Sequence, residues 1–220
     1  PPSNPPLLDA LAEDFRKSGY DRRHLLRAIL NSNTYQATSK PTRFNREDRR
    51  YFSHYQPRML TAEQLVDALG MVTGRPMKFE GVPASMKATQ LPAPDLKPHN
   101  RGRIGEIEFM KIFGQPERQT VCECERGDDS SLGQALELYN GKLVHGMITA
   151  GDGTLNRWIA EKMGDEDIVT RLYVTALCRP PTPRELAIHL EYMQAADDRR
   201  QALEDTLWIV LNKSEFLFQH

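Results

Sequence analysis

A mainly α-helical chain is what this sequence predicts, and three observations predict it. Apolar residues recur at three- and four-residue spacing along much of the chain, as in Leu65, Val66, Leu69 and Val72. Helix-start signals stand before several of these runs. The clearest is Thr182-Pro183-Arg184-Glu185, with a capping threonine, a proline in the first turn and a glutamate at the third helical position. Glycines then stand where the runs stop, at Gly19, Gly74 and Gly164. The expected fold is an irregular helical domain of about eight or nine helices, with an ordered proline-rich loop region that has room for one short β-hairpin.

Each element has its own signal. Ser3 or Asn4 can cap a first helix carrying Leu7, Leu8, Leu11 and Phe15, and Asp21 a second carrying Leu25, Leu26, Ile29 and Leu30. These two form a helical hairpin. Thr61-Ala62-Glu63-Gln64 is a capping box ahead of Leu65. From Arg75 to Pro98, prolines forbid a helix, while Met77, Phe79, Val82, Met86 and Leu91 suggest a loop lying across the protein. Ile104 to Phe113 fits a short helix or an edge strand. Beyond it, Ser130 or Ser131 caps a helix with Leu132, Ala135, Leu136 and Tyr139 on one side, and Asn140-Gly141 ends that helix. Thr154 and Asp165 are the expected caps of two further helices, and the last helix carries Leu203, Leu207, Trp208 and Leu211. Both the second helix and the last end in asparagine with an aromatic four residues on, at Asn31 and Tyr35 and at Asn212 and Phe216. A left-handed asparagine with the ring folded back would explain the echo. We expect one domain over residues 1–220, loosely divided near residue 128 into a loop-rich segment (residues 1–128) and a helical segment (residues 129–220).

Composition narrows the function. With 29 basic and 30 acidic residues, the chain as a whole has no electrostatic pull toward nucleic acid or an anionic membrane. No apolar run approaches the roughly 20 residues of a membrane span. The opening Pro1-Pro2-Ser3-Asn4-Pro5-Pro6 has neither an initiator methionine nor a signal-peptide pattern, so we expect a piece of a longer chain. Between residues 43 and 55, arginines alternate with Phe44, Tyr51, Phe52 and Tyr55, the mixture a single-strand surface uses. Glu47 and Asp48 interrupt it. A solvated helix face with aromatic anchors is therefore expected, and no nucleic-acid partner.

The chemically unusual stretch is Cys122-Glu123-Cys124-Glu125-Arg126, with Arg118 nearby. In an extended chain Cys122, Cys124 and Arg126 share one face and the two glutamates the other. A bond between the two cysteines is strained, because two strand residues span about 6.6 Å, the upper edge of the usual disulfide separation. Three readings follow. The leading one is a structural junction with Arg118, Glu123, Glu125 and Arg126 as a salt-bridge knot. The others are a disulfide, either within the motif or to Cys178, and a zinc, copper or redox site in which His54, His99, His145 or a carboxylate completes the ligands of Cys122 and Cys124. Cys178, placed in a helix, is expected to be buried as a small apolar residue. No serine-nucleophile elbow, paired-histidine zinc motif, phosphate loop or dinucleotide fingerprint is present, and Gly151-Asp152-Gly153-Thr154 lacks the spaced ligands of a calcium loop.

Several phrases together resemble a known family. They are Ser3 to Ala12, Leu30-Asn31-Ser32, Pro57-Arg58 before Thr61 to Leu65, Cys122 to Arg126, Leu177 to Pro183, and Asn212 to Leu217. They resemble the C-terminal domain of unknown function of large exported proteins of planctomycetes and their relatives, over essentially the whole chain. The resemblance implies a tail following a cytochrome c-like segment and a second domain, exported to the periplasm or cell surface. It offers no catalytic residues to transfer. Without a Cys-x-x-Cys-His, haem does not attach in this segment and no cofactor is expected in it. The leading expectation is a noncatalytic structural or interaction module that docks on the upstream domains or on a partner protein. The alternative is an enzyme or redox subunit with its site at the cysteine motif.

Overall fold

The structure is a computed structural model describing residues 2, 4–91, 109–115 and 132–219. Among these residues are ten α-helices: α1 (Pro5–Lys17), α2 (Arg22–Leu30), α3 (Ala62–Thr73), α4 (Leu132–Asn140), α5 (Lys142–Ile148), α6 (Thr154–Ala160), α7 (Asp165–Leu177), α8 (Pro183–Ala195), α9 (Arg199–Leu211) and α10 (Ser214–Leu217). Residues 109–112 are helical too. Two short strands, β1 (Arg58–Met59) and β2 (Phe218–Gln219), pair in a two-stranded sheet. The mainly α class holds. The division expected near residue 128 falls outside the described residues. The chain forms two compact units, residues 1–58 and 59–219.

The first unit is the hairpin and a long irregular loop. Asn4 accepts the Leu7 amide hydrogen at 3.3 Å and Pro5 and Pro6 fill the first turn, where a missing N–H costs little. The chain reverses at Gly19 and Tyr20, both with positive φ, and Asp21 caps α2 through the Arg23 amide at 2.8 Å. Asp14 and His24 meet at 2.8 Å across the hairpin. No residue of either helix is buried. Residues 31–57 are turns and bends rather than the expected helix face. Phe44, Tyr51 and Phe52 are not anchors, Phe44 being 84% and Tyr51 79% exposed, whereas Tyr55 is half-buried.

The second unit holds the core. Its central element is α9, which packs against α5, α6, α7, α8 and α10. Leu203, Leu207 and Leu211 recur one helical turn apart and are essentially inaccessible. Burial of each contributes about 2 kcal/mol relative to exposure. On the opposite side α3 lays Leu65, Val66, Leu69 and Val72 against α5, α6 and α7. The Thr61–Gln64 capping box forms in both directions. Across this surface runs the described part of the proline-rich loop, with Met77 and Phe79 buried. Asp67 of α3 accepts the Ala88 and Thr89 amides at 2.8 and 3.0 Å and so ties the loop down. The expected ordered loop is there as far as residue 91.

Two glycines are dictated by geometry. Gly74 ends α3 at φ +71, and a Cβ there would lie 2.4 Å from Thr154 Oγ1. At Gly141, between α4 and α5, a Cβ would lie 2.1 Å from the Glu137 carbonyl oxygen.

Several local expectations are corrected. Gly153 and Gly164, not Thr154 and Asp165, occupy the caps of α6 and α7, because the helices begin one residue earlier. In α4, Leu136 faces solvent whereas Leu138 and Gln134 are buried; Gln134 donates to the Ile112 carbonyl at 3.0 Å. A neighbouring segment, not helical periodicity alone, chooses that face. Asn31 and Asn212 end their helices at φ −87 and −95, outside the left-handed region. The echo also stops at packing, since Phe216 is buried and Tyr35 exposed.

Candidate functional site

The densest polar constellation among the described residues gathers where α7, α8 and α10 meet. Helix α7 ends at Cys178, whose φ of +56 turns the chain. Cys178 is exposed, against the expected burial: it is the cap that follows the helix and points away from its apolar stripe. Next, Arg179 faces Thr182-Pro183-Arg184-Glu185, where Thr182 and Glu185 form the expected capping box. Arg179 grips the Glu185 carboxylate with both terminal nitrogens, at 2.9 and 3.0 Å, and Glu215 of α10 at 2.6 Å. Lys213, just before α10, donates to Glu185 at 2.9 Å. Two cations thus meet two carboxylates.

Beneath the ion pairs lies a buried couple. The Tyr173 hydroxyl is 3.0 Å from His189 Nε2, joining α7 to α8, and the ring of Tyr173 has Arg179 and Lys213 at 5.5 and 5.4 Å from its centroid. Tyr173 is 0% exposed, so the pair is closed to solvent and substrate.

The electrostatics follow from these contacts. Arg179, then Lys213 and the Thr182 amide, hold Glu185 far below the usual carboxylate range, while burial opposes them. Arg179 is correspondingly raised by Glu185 and Glu215. Burial pulls Lys213 down, but its bond to Glu185 and its neighbour Tyr173 raise it on balance. Burial, aided by Lys213, lowers His189, and burial raises Tyr173. A neutral His189 whose Nε2 accepts a hydrogen bond from the Tyr173 hydroxyl is the arrangement these shifts favour.

A pH dependence results. His189 is depressed in the folded state, so its contribution is present above its ordinary value of 6.5 and is lost as pH falls through the lower folded value. Glu185 is depressed too, so its contribution is present above 4.5 and is lost under stronger acid. Urea unfolding at stepped pH should show stability declining first below about pH 6.5 and again below about pH 4.5. His189→Gln should flatten the first decline and leave the second.

The sequence does not mark this cluster as a set. It does carry a signal: the Leu177–Pro183 and Asn212–Leu217 phrases both place charges at helix ends, and the structure brings their Arg179 and Glu215 together. The motif singled out from the sequence, Cys122, Glu123, Cys124, Glu125 and Arg126 with Arg118, lies outside the described residues, as does His99. His145 is exposed on α5. His54 is half-buried, with Nδ1 3.1 Å from the Tyr55 carbonyl oxygen and Nε2 without a hydrogen-bond partner among the described residues. Among the described residues no group of three histidine, cysteine, aspartate or glutamate side chains is placed to hold a metal ion. None of their helices is long and apolar enough to cross a membrane.

The first unit presents a different surface. Leu7 and Leu8 in the first turns of α1, and Ile29 and Leu30 at the end of α2, lie toward the open end of the hairpin and are exposed, as is Leu26. At its closed end Phe15 meets Tyr20 edge to face. An amphipathic pair with its apolar side in water suits a surface that another surface covers.

Comparison with known proteins places the chain. It belongs to the PSD1 family, described as a protein of unknown function (DUF1553), whose family model matches residues 1–193. Neither a curated protein nor a solved structure matches it.

Proposed function

We propose that the chain is a noncatalytic structural and interaction module, the C-terminal part of an exported multidomain protein associated with a cytochrome c-containing system. It docks on the upstream domains of that protein or on a partner protein. One observation carries the reading: the apolar side of the α1–α2 hairpin is exposed at Leu7, Leu8, Leu26, Ile29 and Leu30. The Arg179 cluster supports it, because its charges neutralise one another and its tyrosine is sealed, as in a device that holds helices together. Export and the cytochrome association rest on the family resemblance.

The test uses a triple change, Leu7→Ser with Leu26→Ser and Leu30→Ser. In the 220-residue chain it should move stability by no more than about 1.5 kcal/mol, about 0.5 kcal/mol for each of three exposed positions. In the longer protein the same change should loosen the module, seen as faster proteolytic cleavage ahead of residue 59. An unchanged cleavage pattern there would remove the docking reading.

A further inference from the structure

Charge is divided unevenly between the two units. Residues 1–58 hold 11 basic and 6 acidic residues, whereas residues 59–220 hold 18 basic and 24 acidic. A chain with almost no net charge therefore contains a first unit of +5. Its acids are largely engaged: Glu13 pairs with Lys17, Asp14 with His24, and Asp21 caps α2. The arginines are not. Arg16, Arg22, Arg23 and Arg27 of the hairpin are exposed and have no carboxylate partner among the described residues, and the same holds for the four arginines between residues 43 and 50.

The loop that carries those four is built to present them. Asp48 accepts the amides of Arg50, Tyr51 and Ser53 at 3.0, 2.8 and 2.9 Å, so it acts as an internal turn anchor. These bonds, with the Ser53 hydroxyl first, hold its carboxyl well below the usual range. Asn45 ties the two ends together, accepting the Thr42 amide and donating to the Ser53 carbonyl at 3.1 Å. On this frame Arg43 stands over Phe44 at 4.4 Å and Arg50 near Tyr51 at 5.9 Å. Each is a cation on an exposed ring, set before any partner arrives. Arginine and aromatic side chains are the residue types that anchor protein interfaces, and a preformed loop loses less entropy on binding.

Resting on the docking reading above, we propose that the partner of the first unit is an acidic protein surface with an apolar centre. It is steered by the unpaired arginines and anchored on Phe44, Tyr51 and the hairpin leucines. A second copy docking through the same face would set +5 against +5, which electrostatics opposes.

The experiment uses the full 220-residue chain and two fluorescein-labelled amphipathic helical peptides, each with leucines on one face. One carries glutamates on the other face, its counterpart lysines. The glutamate peptide should bind, with affinity falling at least about tenfold between about 50 and 300 mM salt, and the lysine peptide should not. Arg43→Glu with Arg50→Glu should weaken the glutamate peptide about tenfold or more, and Phe44→Ala with Tyr51→Ala should weaken it without changing the salt slope. Equal, salt-insensitive binding of both peptides would overturn the acidic partner and leave apolar docking standing. Binding of neither would overturn both. Tighter, salt-sensitive binding of oligothymidylate than of the glutamate peptide would replace the protein partner by a nucleic acid. Salt-sensitive self-association of the chain would replace it by the acidic remainder of a second copy.

Discussion

Replacing Arg179 by methionine should destabilise the 59–219 unit by about 2 to 3 kcal/mol and lower its melting temperature by roughly 5 to 10 °C. The single side chain binds two carboxylates on two different helices, Glu185 and Glu215, and crosses the ring of Tyr173. Removing it leaves Glu185 with Lys213 as its remaining cation among the described residues, beside the Thr182 amide, and Glu215 without its cation. The loss is smaller than for a sealed pair because Arg179 is one-third exposed and water can reach the orphaned carboxylates. Lysine should restore only part of the loss, since it cannot reproduce the two-pronged grip on Glu185. Urea unfolding of the methionine and lysine variants checks this; equal stability of methionine variant and parent would mean the cluster contributes nothing net.

Gly74→Ala should be about as costly, near 3 kcal/mol, for an unrelated reason. Its φ of +71 is left-handed, which costs an alanine about 1 kcal/mol or a little more. The added Cβ would also sit 2.4 Å from Thr154 Oγ1, where α3 ends against the start of α6. Thr154→Ala in the same chain removes the hydroxyl in the way. The double variant should therefore be more stable than the sum of the two single changes, by about 1 kcal/mol. Strict additivity in thermal unfolding would show that the contact is relieved elsewhere.

Helix existence is legible in the sequence because capping is local. Thr61 with Gln64, Thr182 with Glu185, Asn4 and Asp21 each satisfy amides within three residues, so the signal lies in neighbouring letters. The faces are less legible. Leu136 and Leu138 are equally apolar, and it is tertiary packing, with α4 against α5 and Gln134 bonded to the Ile112 carbonyl, that leaves Leu138 buried and Leu136 exposed. Cys178 escapes its expected burial because burial statistics take no account of a helix that stops one residue earlier. The Arg179 cluster joins residues 36 apart, a pairing no spacing rule contains, although both phrases that supply it stand out in the sequence. Rings usually anchor a segment, which is why Phe44 and Tyr51 suggest anchors; the loop's own hydrogen bonds, centred on Asp48, hold it without them.

Everything proposed for the first unit depends on the α1–α2 hairpin having no cover of its own. Native-state hydrogen exchange, followed helix by helix on the 220-residue chain and on the longer multidomain protein proposed above, tests this most directly. Helices this short with no buried residue are marginal in water, so in the chain alone the amides of α1 and α2 should exchange far faster than those of α3, α7 and α9. In the longer protein they should gain protection while α9 stays as it was. Protection of α1 and α2 equal to that of α9 in the chain alone would contradict the account, since the hairpin would then already be covered.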